Sequence, residues 1–252
     1  MTENNKKIFG LIGFPLGHSF SKKFFNGKFE EERIYAEYRN FEIPGIAGFN
    51  ELLDIKGISG FNVTIPYKQE IMPLLDSIDP VAEEIGAVNV VKIIRKGGQI
   101  TTKGYNSDIV GFRNSLLPML RSGHKNALIL GTGGASKAVV YALKELDIGH
   151  TSVSRTKKPG VLTYSELDEE TIRRNTVIVN TTPVGMFPHT GECPDIPYRA
   201  ITPGHICYDL IYNPEETLFL KRASDNGAAT KNGMEMLVLQ ALESWRIWNI
   251  NE

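Results

Sequence analysis

The run Ala127-Leu128-Ile129-Leu130-Gly131-Thr132-Gly133-Gly134-Ala135-Ser136-Lys137-Ala138 decides how this chain is read. Its first four residues make a short, fully apolar strand, and the glycines make a tight turn. Ala138, Val139, Ala142, Leu143 and Leu146 then fall on one face of a helix, with Gly149 placed to cap it. Glycines between a buried strand and a helix let the backbone approach a pyrophosphate, whose charge sits at the helix N-terminus. The stretch reads as a dinucleotide site with Ser136 in place of the third glycine. A tight strand-to-helix turn with no ligand has the same pattern. The phosphate loop ending in Gly-Lys-Ser/Thr is excluded, because Ser136-Lys137-Ala138 stands there.

The next strand, His150–Ser154, leads into Ser154-Arg155-Thr156-Lys157-Lys158. An NAD site carries an acidic residue about 20 positions past the first glycine, for the ribose hydroxyls. Here there is no carboxylate and there are three cations. An arginine so placed stacks on adenine and pairs with a 2′-phosphate, so NADP is favoured over NAD. A solvated basic loop is the alternative reading.

Outward from this unit, strand-like and helix-like stretches alternate. Strands are read at Lys7–Ile12, Tyr35–Ile43, Gly60–Ile65, Thr176–Asn180, Ile206–Leu210 and Ala228–Lys231, with a hairpin of Ala87–Arg95 and Gln99–Lys103. Phe20, Phe24, Phe25 and Phe29 recur at helical spacing. So do Val110, Phe112, Leu116 and Leu120, and a last helix runs from about Met234 to Ile250. Repeated strand–helix units imply an α/β chain with a largely parallel sheet and helices on both faces. A boundary falls near residue 105, with the last helix packing back on the first half.

The 252 residues suit one large domain or two small ones. A net charge of −1, with no block of five like charges, argues against a nucleic-acid footprint or a polybasic membrane patch. No apolar run approaches the ~20 residues that span a bilayer. The apolar stretch near the start is broken by Gly10, Gly13 and Pro15, and reads as a first strand rather than a signal peptide. Two cysteines, Cys193 and Cys207, are too few for a disulfide framework and fit a reducing cytoplasm. The five histidines show neither HExxH nor close-pair spacing, so no metal site is expected.

Several polar residues stand out against this background. In Asn62-Val63-Thr64-Ile65-Pro66-Tyr67-Lys68, Pro66 reads as the first residue of a helix. That would put Lys68 in the first turn, where the macrodipole disfavours a cation and eases loss of its proton. A rule broken without local gain hints at function, and an exposed lysine is the plain alternative. Asp108 or Ser107 reads as an N-cap, as do Ser19 and Ser21 before the phenylalanine-faced helix. Gln240 falls on or beside an apolar stripe, either as a satisfied core residue or as a ligand contact.

Read in order, Gly17-His18-Ser19-Phe20-Ser21, Asn62–Lys68, Gly86-Ala87-Val88-Asn89, Gly104-Tyr105-Asn106-Ser107-Asp108, Gly131–Ser136, Ser154-Arg155-Thr156, Asn180–Met186, Asp209–Pro214 and Asn232-Gly233 with Met236–Gln240 resemble the shikimate dehydrogenase family. Departures from its usual pattern fall at Lys22, Phe25-Asn26, Val90, Ser107, Ser154 and Glu235. The resemblance implies an N-terminal α/β substrate domain, 1–105 with the helix 235–252, and a Rossmann-like doubly wound NADP-binding domain, 106–234. It implies reversible reduction of 3-dehydroshikimate to shikimate by NADPH, towards aromatic amino acids and chorismate, in a cytoplasmic monomer or homodimer. By position, Lys68 and Asp108 would be the acid/base pair. Ser19, Ser21 and Tyr212 would hold the substrate carboxylate, and Thr64, Asn89 and Gln240 its ring hydroxyls. Gly131, Thr132, Gly133, Gly134 and Ala135 would take the pyrophosphate, and Ser154, Arg155, Thr156 and Lys158 the 2′-phosphate end. Leu210 and Gly233 would lie along the nicotinamide. A quinate/shikimate enzyme using NAD and a non-catalytic metabolite-binding paralogue are the alternatives.

Overall fold

Strand order departs from chain order in both halves of the molecule, and that departure is what gathers distant residues. The computed structural model describes residues 6–17 and 19–250, so His18 lies outside the described residues. The chain divides into two compact units, residues 1–107 with 241–252, and residues 108–240.

The first unit contains β1 (Lys7–Gly13), α1 (Phe20–Glu31), β2 (Ala36–Glu42), α2 (Phe49–Leu53), β3 (Ile58–Val63), β4 (Ser77–Ile78), α3 (Pro80–Ile85), β5 (Val90–Lys96) and β6 (Gln99–Tyr105). Its sheet has the order β2-β1-β3-β5-β6-β4. The strands β1, β2 and β3 are parallel, and β5 runs antiparallel to both β3 and β6. Strand periodicity sends alternate residues to opposite faces. Phe9, Phe25, Phe29, Tyr38 and Val90 form one apolar cluster with Ala241, Ile247 and Trp248, whereas Ile8, Ile12, Phe49, Phe61 and Val88 form another. Trp248 lies over Gly60, where an added Cβ would stand 2.4 Å from the indole nitrogen. That nitrogen donates to the Val91 carbonyl at 3.1 Å.

The second unit contains α4 (Asp108–Leu116), β7 (Asn126–Leu130), α5 (Gly134–Glu145), β8 (Gly149–Ser154), β9 (Leu162–Thr163), α6 (Glu169–Arg174), β10 (Val177–Asn180), β11 (Ile206–Asp209), α7 (Leu218–Asp225), β12 (Ala229–Lys231) and the first residues of α8 (Met234–Asn249). All pairings in its sheet, β12-β11-β10-β7-β8-β9, are parallel. The chain leaves the central β7 towards one edge and returns to build the other, which is double winding. Its central strands are short runs buried on both faces, as expected of a covered parallel sheet.

Two local readings are corrected. No helix starts at Pro66; residues 65–71 form consecutive turns. The Lys68 carbonyl accepts the Val88 N–H at 2.7 Å, so it does not serve an intrahelical bond, and the Tyr67 hydroxyl is tied to the Ile43 carbonyl at 2.6 Å. The macrodipole argument for Lys68 therefore fails. Gly149 does not cap α5 either: Leu146 is the C-cap, Asp147 takes the left-handed conformation (φ 56°), and Gly149 begins β8.

Candidate active site

Because β1 and β3 are parallel and β5 runs against β3, the residues after β1, after β3 and before β5 share one end of the first sheet. Ser19, Thr64, Lys68 and Asn89 all belong to these segments. Ser19 does cap α1, its hydroxyl accepting the Lys22 N–H at 3.2 Å. Ser21, two residues on, is buried. Thr64 is fixed through its backbone to Ile12 and Tyr67, and Gly13 leaves room for its methyl group. A Cβ on Gly13 would lie 2.5 Å from that carbon. Lys68 is half-buried and held by its own carbonyl. Asn89 is buried, with its Oδ1 accepting the Ser107 N–H at 2.7 Å.

In the second unit every strand points the same way, so the residues following them share one edge, where α/β sheets bind ligands. Gly131 has φ +112°, and a Cβ there would stand 2.6 Å from Thr181 Oγ1, so only glycine fits. No side chain caps the N-terminus of α5, and around Gly133 the space is open. Ser136, at the third glycine position, turns its hydroxyl back to the Gly133 carbonyl at 2.6 Å. A bare helix N-terminus beside a turn that tolerates no Cβ fits a dinucleotide pyrophosphate. At the end of β8, Ser154 is buried and accepts the Thr156 N–H at 3.3 Å, shaping a loop whose Arg155 is exposed. The two lysines there diverge. Lys157 is paired with Glu166, whereas Lys158 reaches the Thr132 hydroxyl at 3.1 Å, over the glycine turn.

Leu210 and Gly233 are brought into contact. A Cβ on Gly233 would fall 2.0 Å from the Leu210 carbonyl oxygen. Asp108 opens α4 and is buried. One turn on, Gly111 lets α8 approach, since a Cβ there would lie 2.9 Å from that of Gln240. Gln240 donates to the Leu237 carbonyl at 3.0 Å, and Tyr212 is half-buried just beyond β11.

Sequence reasoning missed Asp209. It is fully buried and accepts hydrogen bonds from Asn180 Nδ2 (3.0 Å), the Ile211 N–H (3.0 Å) and the Thr217 hydroxyl (2.6 Å). Burial outweighs those donors and pushes its carboxyl up to about 6. Its signals in the sequence are a carboxylate closing an otherwise apolar strand and its place at the head of the run Asp209–Pro214, neither of which assigns it a role. Tyr38 and Ser244, which are both buried and hydrogen-bonded at 2.8 Å to the Asn62 amide, left no signal.

A doubly wound parallel sheet with a glycine turn, preceded by a mixed sheet with polar groups gathered at one end, defines a two-unit α/β protein with a Rossmann-like unit. The family model described as "Shikimate dehydrogenase substrate binding domain" matches residues 11–91. A Methanococcus maripaludis protein named shikimate dehydrogenase (NADP(+)) is 40% identical, covering 98% of this chain and 94% of that protein. The chain belongs to the shikimate dehydrogenase family. Among solved structures, the Thermus thermophilus shikimate 5-dehydrogenase in complex with NADP(H) and shikimate is 28% identical with a TM-score of 0.84, covering 96% and 93% of the two chains. The Corynebacterium glutamicum quinate dehydrogenase in complex with NAD is 26% identical with a TM-score of 0.86, covering 98% and 94%. No helix among the described residues is long and apolar enough to cross a membrane.

Proposed function

We propose that this chain catalyses the reversible reduction of 3-dehydroshikimate to shikimate with NADPH, as a cytoplasmic step towards aromatic compounds. The observation that carries the reading is the set of hydroxyl, amide and amine groups of Ser19, Thr64, Lys68 and Asn89 at one end of the first sheet. Such a set suits a small carboxylic acid bearing several hydroxyls. Ser19, Ser21, Thr64, Lys68 and Asn89 belong to the unit 1–107 with 241–252, whereas Asp108, Tyr212, Gln240 and the cofactor residues belong to 108–240.

Ser19, Ser21 and Tyr212 donate to the substrate carboxylate, and Thr64, Asn89 and Gln240 bond its ring hydroxyls. When bound, NADPH supplies a hydride to the carbonyl carbon. Lys68 gives the proton to the oxygen at that carbon, and Asp108 orients the ammonium and stabilises its charge. Gly131, Thr132, Gly133, Gly134 and Ala135 receive the pyrophosphate, while Ser154, Arg155, Thr156 and Lys158 meet the 2′-phosphate. Leu210 and Gly233 line the nicotinamide. No carboxylate stands at Ser154–Lys158 to bind an NAD ribose, which argues against the quinate/NAD alternative. The test is purified protein with shikimate or quinate, each with NADP or NAD, followed by absorbance of the reduced cofactor. Fastest turnover is expected with shikimate and NADP. A faster quinate–NAD pair would replace this reading, and no turnover in any combination would leave the non-catalytic paralogue.

A further inference from the structure

One carboxylate ties three segments of the second unit together. Asp209 ends β11, is fully buried, and belongs to neither the substrate set nor the cofactor set proposed above. Its Oδ1 accepts the Ile211 N–H and the Asn180 side-chain amide, each at 3.0 Å, and its Oδ2 accepts the Thr217 hydroxyl at 2.6 Å. Asn180 closes β10, Ile211 follows β11, and Thr217 caps α7 by accepting the Leu220 N–H at 3.3 Å. Every group around the carboxylate donates, which is what an acceptor with no proton of its own requires.

Two of these bonds run on to residues assigned to cofactor. In one direction, the bond to the Ile211 N–H turns the chain tightly around Leu210, and the Ile211 carbonyl accepts the Gly233 N–H at 2.9 Å. That holds Gly233 where an added Cβ would lie 2.0 Å from the Leu210 carbonyl oxygen. In the other direction, Asn180 Oδ1 accepts the backbone N–H and the hydroxyl of Thr182, at 3.0 and 2.7 Å. A backbone N–H only donates, so it fixes Oδ1 there and turns Nδ2 to Asp209. Thr181 and Thr182 are the residues against which Gly131 is set. A Cβ on Gly131 would stand 2.6 Å from the Thr181 hydroxyl and 3.0 Å from the Thr182 methyl. The glycine turn and the Leu210–Gly233 pair therefore share one support. The 2′-phosphate end is shaped separately, by the Ser154 hydroxyl.

We propose that Asp209 is a positioning residue for the cofactor: it sets the Leu210–Gly233 pair at a fixed separation from the glycine turn, so that the nicotinamide is held once the pyrophosphate is seated. This rests on the cofactor residues proposed above. Hydrogen bonds to a charged, buried acceptor are the stronger kind, so the separation is stiffly held.

The test is calorimetric titration with two ligands, NADPH and adenosine 2′,5′-bisphosphate, which keeps the adenosine and two phosphates but lacks the nicotinamide. Asp209→Ala removes all three bonds. It is expected to weaken NADPH binding about 10–50-fold, the scale of one hydrogen bond to a charged group, and bisphosphate binding less than about twofold. Asp209→Asn keeps an oxygen for Ile211 and Asn180, and its amide donates to the Thr217 oxygen. NADPH binding should then return to within about threefold of wild type. Equal weakening of both ligands in Asp209→Ala marks a merely structural residue and overturns the proposal. So does an Asp209→Asn variant no better than Asp209→Ala. If Asp209→Ala does not fold, Asn180→Ala decides, because it cuts the branch to the glycine turn and leaves Ile211 in place. The same selective loss, about 3–10-fold, is then expected, and an equal loss or none overturns the proposal. Wild-type protein that binds both ligands while the variants match it overturns the positioning role alone. Wild-type protein that binds neither overturns the cofactor reading as well.

Discussion

At the loop end of the first sheet the polar atoms assigned to ligand belong to side chains, those of Ser19, Thr64, Lys68 and Asn89, whereas at the glycine turn of the second they belong to backbone. Glycine dominates the second edge for a steric reason: a Cβ at Gly131 or Gly233 would overlap Thr181 or the Leu210 carbonyl. Side chains present a pattern of donors and acceptors, which a small polyhydroxy acid needs. Backbone N–H groups at a helix start present a diffuse positive field, which a pyrophosphate needs. The two kinds of site also depend on different support. The first rests on hydroxyls and amides wired together in the core, and the second on Asp209, which ties Asn180, Ile211 and Thr217 together from beneath.

The contrast is broken most sharply at Lys68, the one side chain asked to move a proton. Lys68→Ala should lower kcat by about 10²–10⁴ with a modest change in KM for shikimate. Steady-state kinetics giving near-normal turnover would remove Lys68 from the chemistry. The next largest effect concerns the support of the second site. Asp209 holds its proton to about pH 6 when folded, against an ordinary value of 3.8. Between these limits the folded chain binds the proton that the unfolded chain has released, so stability falls as pH rises from about 4 to 6. The loss from this group alone is about 3 kcal/mol. Asp209→Asn should remove that slope, gaining on wild type by about that amount between pH 4 and 7 in denaturant unfolding. A gap that stays constant with pH would refute this. The smallest effect sharpens the comparison at the cofactor edge. Arg155→Ala should raise the KM for NADP about tenfold and that for NAD little, with Lys158→Ala weaker in the same direction. Lys157→Ala should leave both nearly unchanged, because its ammonium is paired with Glu166. Equal effects on NADP and NAD would show that the 2′-phosphate is met elsewhere.

Elements governed by short-range rules were legible in the sequence. The apolar run Ala127–Leu130 with its glycines located both the central strand and the turn, because steric demand and burial act within a dozen residues there. The turns at 65–71 were not legible. What prevents a helix is a carbonyl captured by Val88, twenty residues away in the chain, and Pro66 alone carries no trace of that. Tyr38 and Ser244 were hidden for the same reason. Asn62 and Ser244 are 182 positions apart, and a tyrosine in a strand and a serine in a helix look ordinary until the sheet and α8 are assembled. Lys68 was singled out on a helix-dipole argument that the structure removes. The role proposed for it now rests on family membership and on its neighbours at the sheet end.

The aromatic surface of the first sheet, with Phe9, Phe25 and Tyr38, is completed by Trp248 and Ile247, which follow all of residues 108–240 in the chain. On a ribosome adding about 5–20 residues per second, that face waits on the order of ten seconds for its lid to be made. The N-terminal half is therefore synthesised first and finished last. Throughout that interval a sticky, unfinished sheet must be kept from other nascent chains, by chaperones or by the speed with which the second unit is completed.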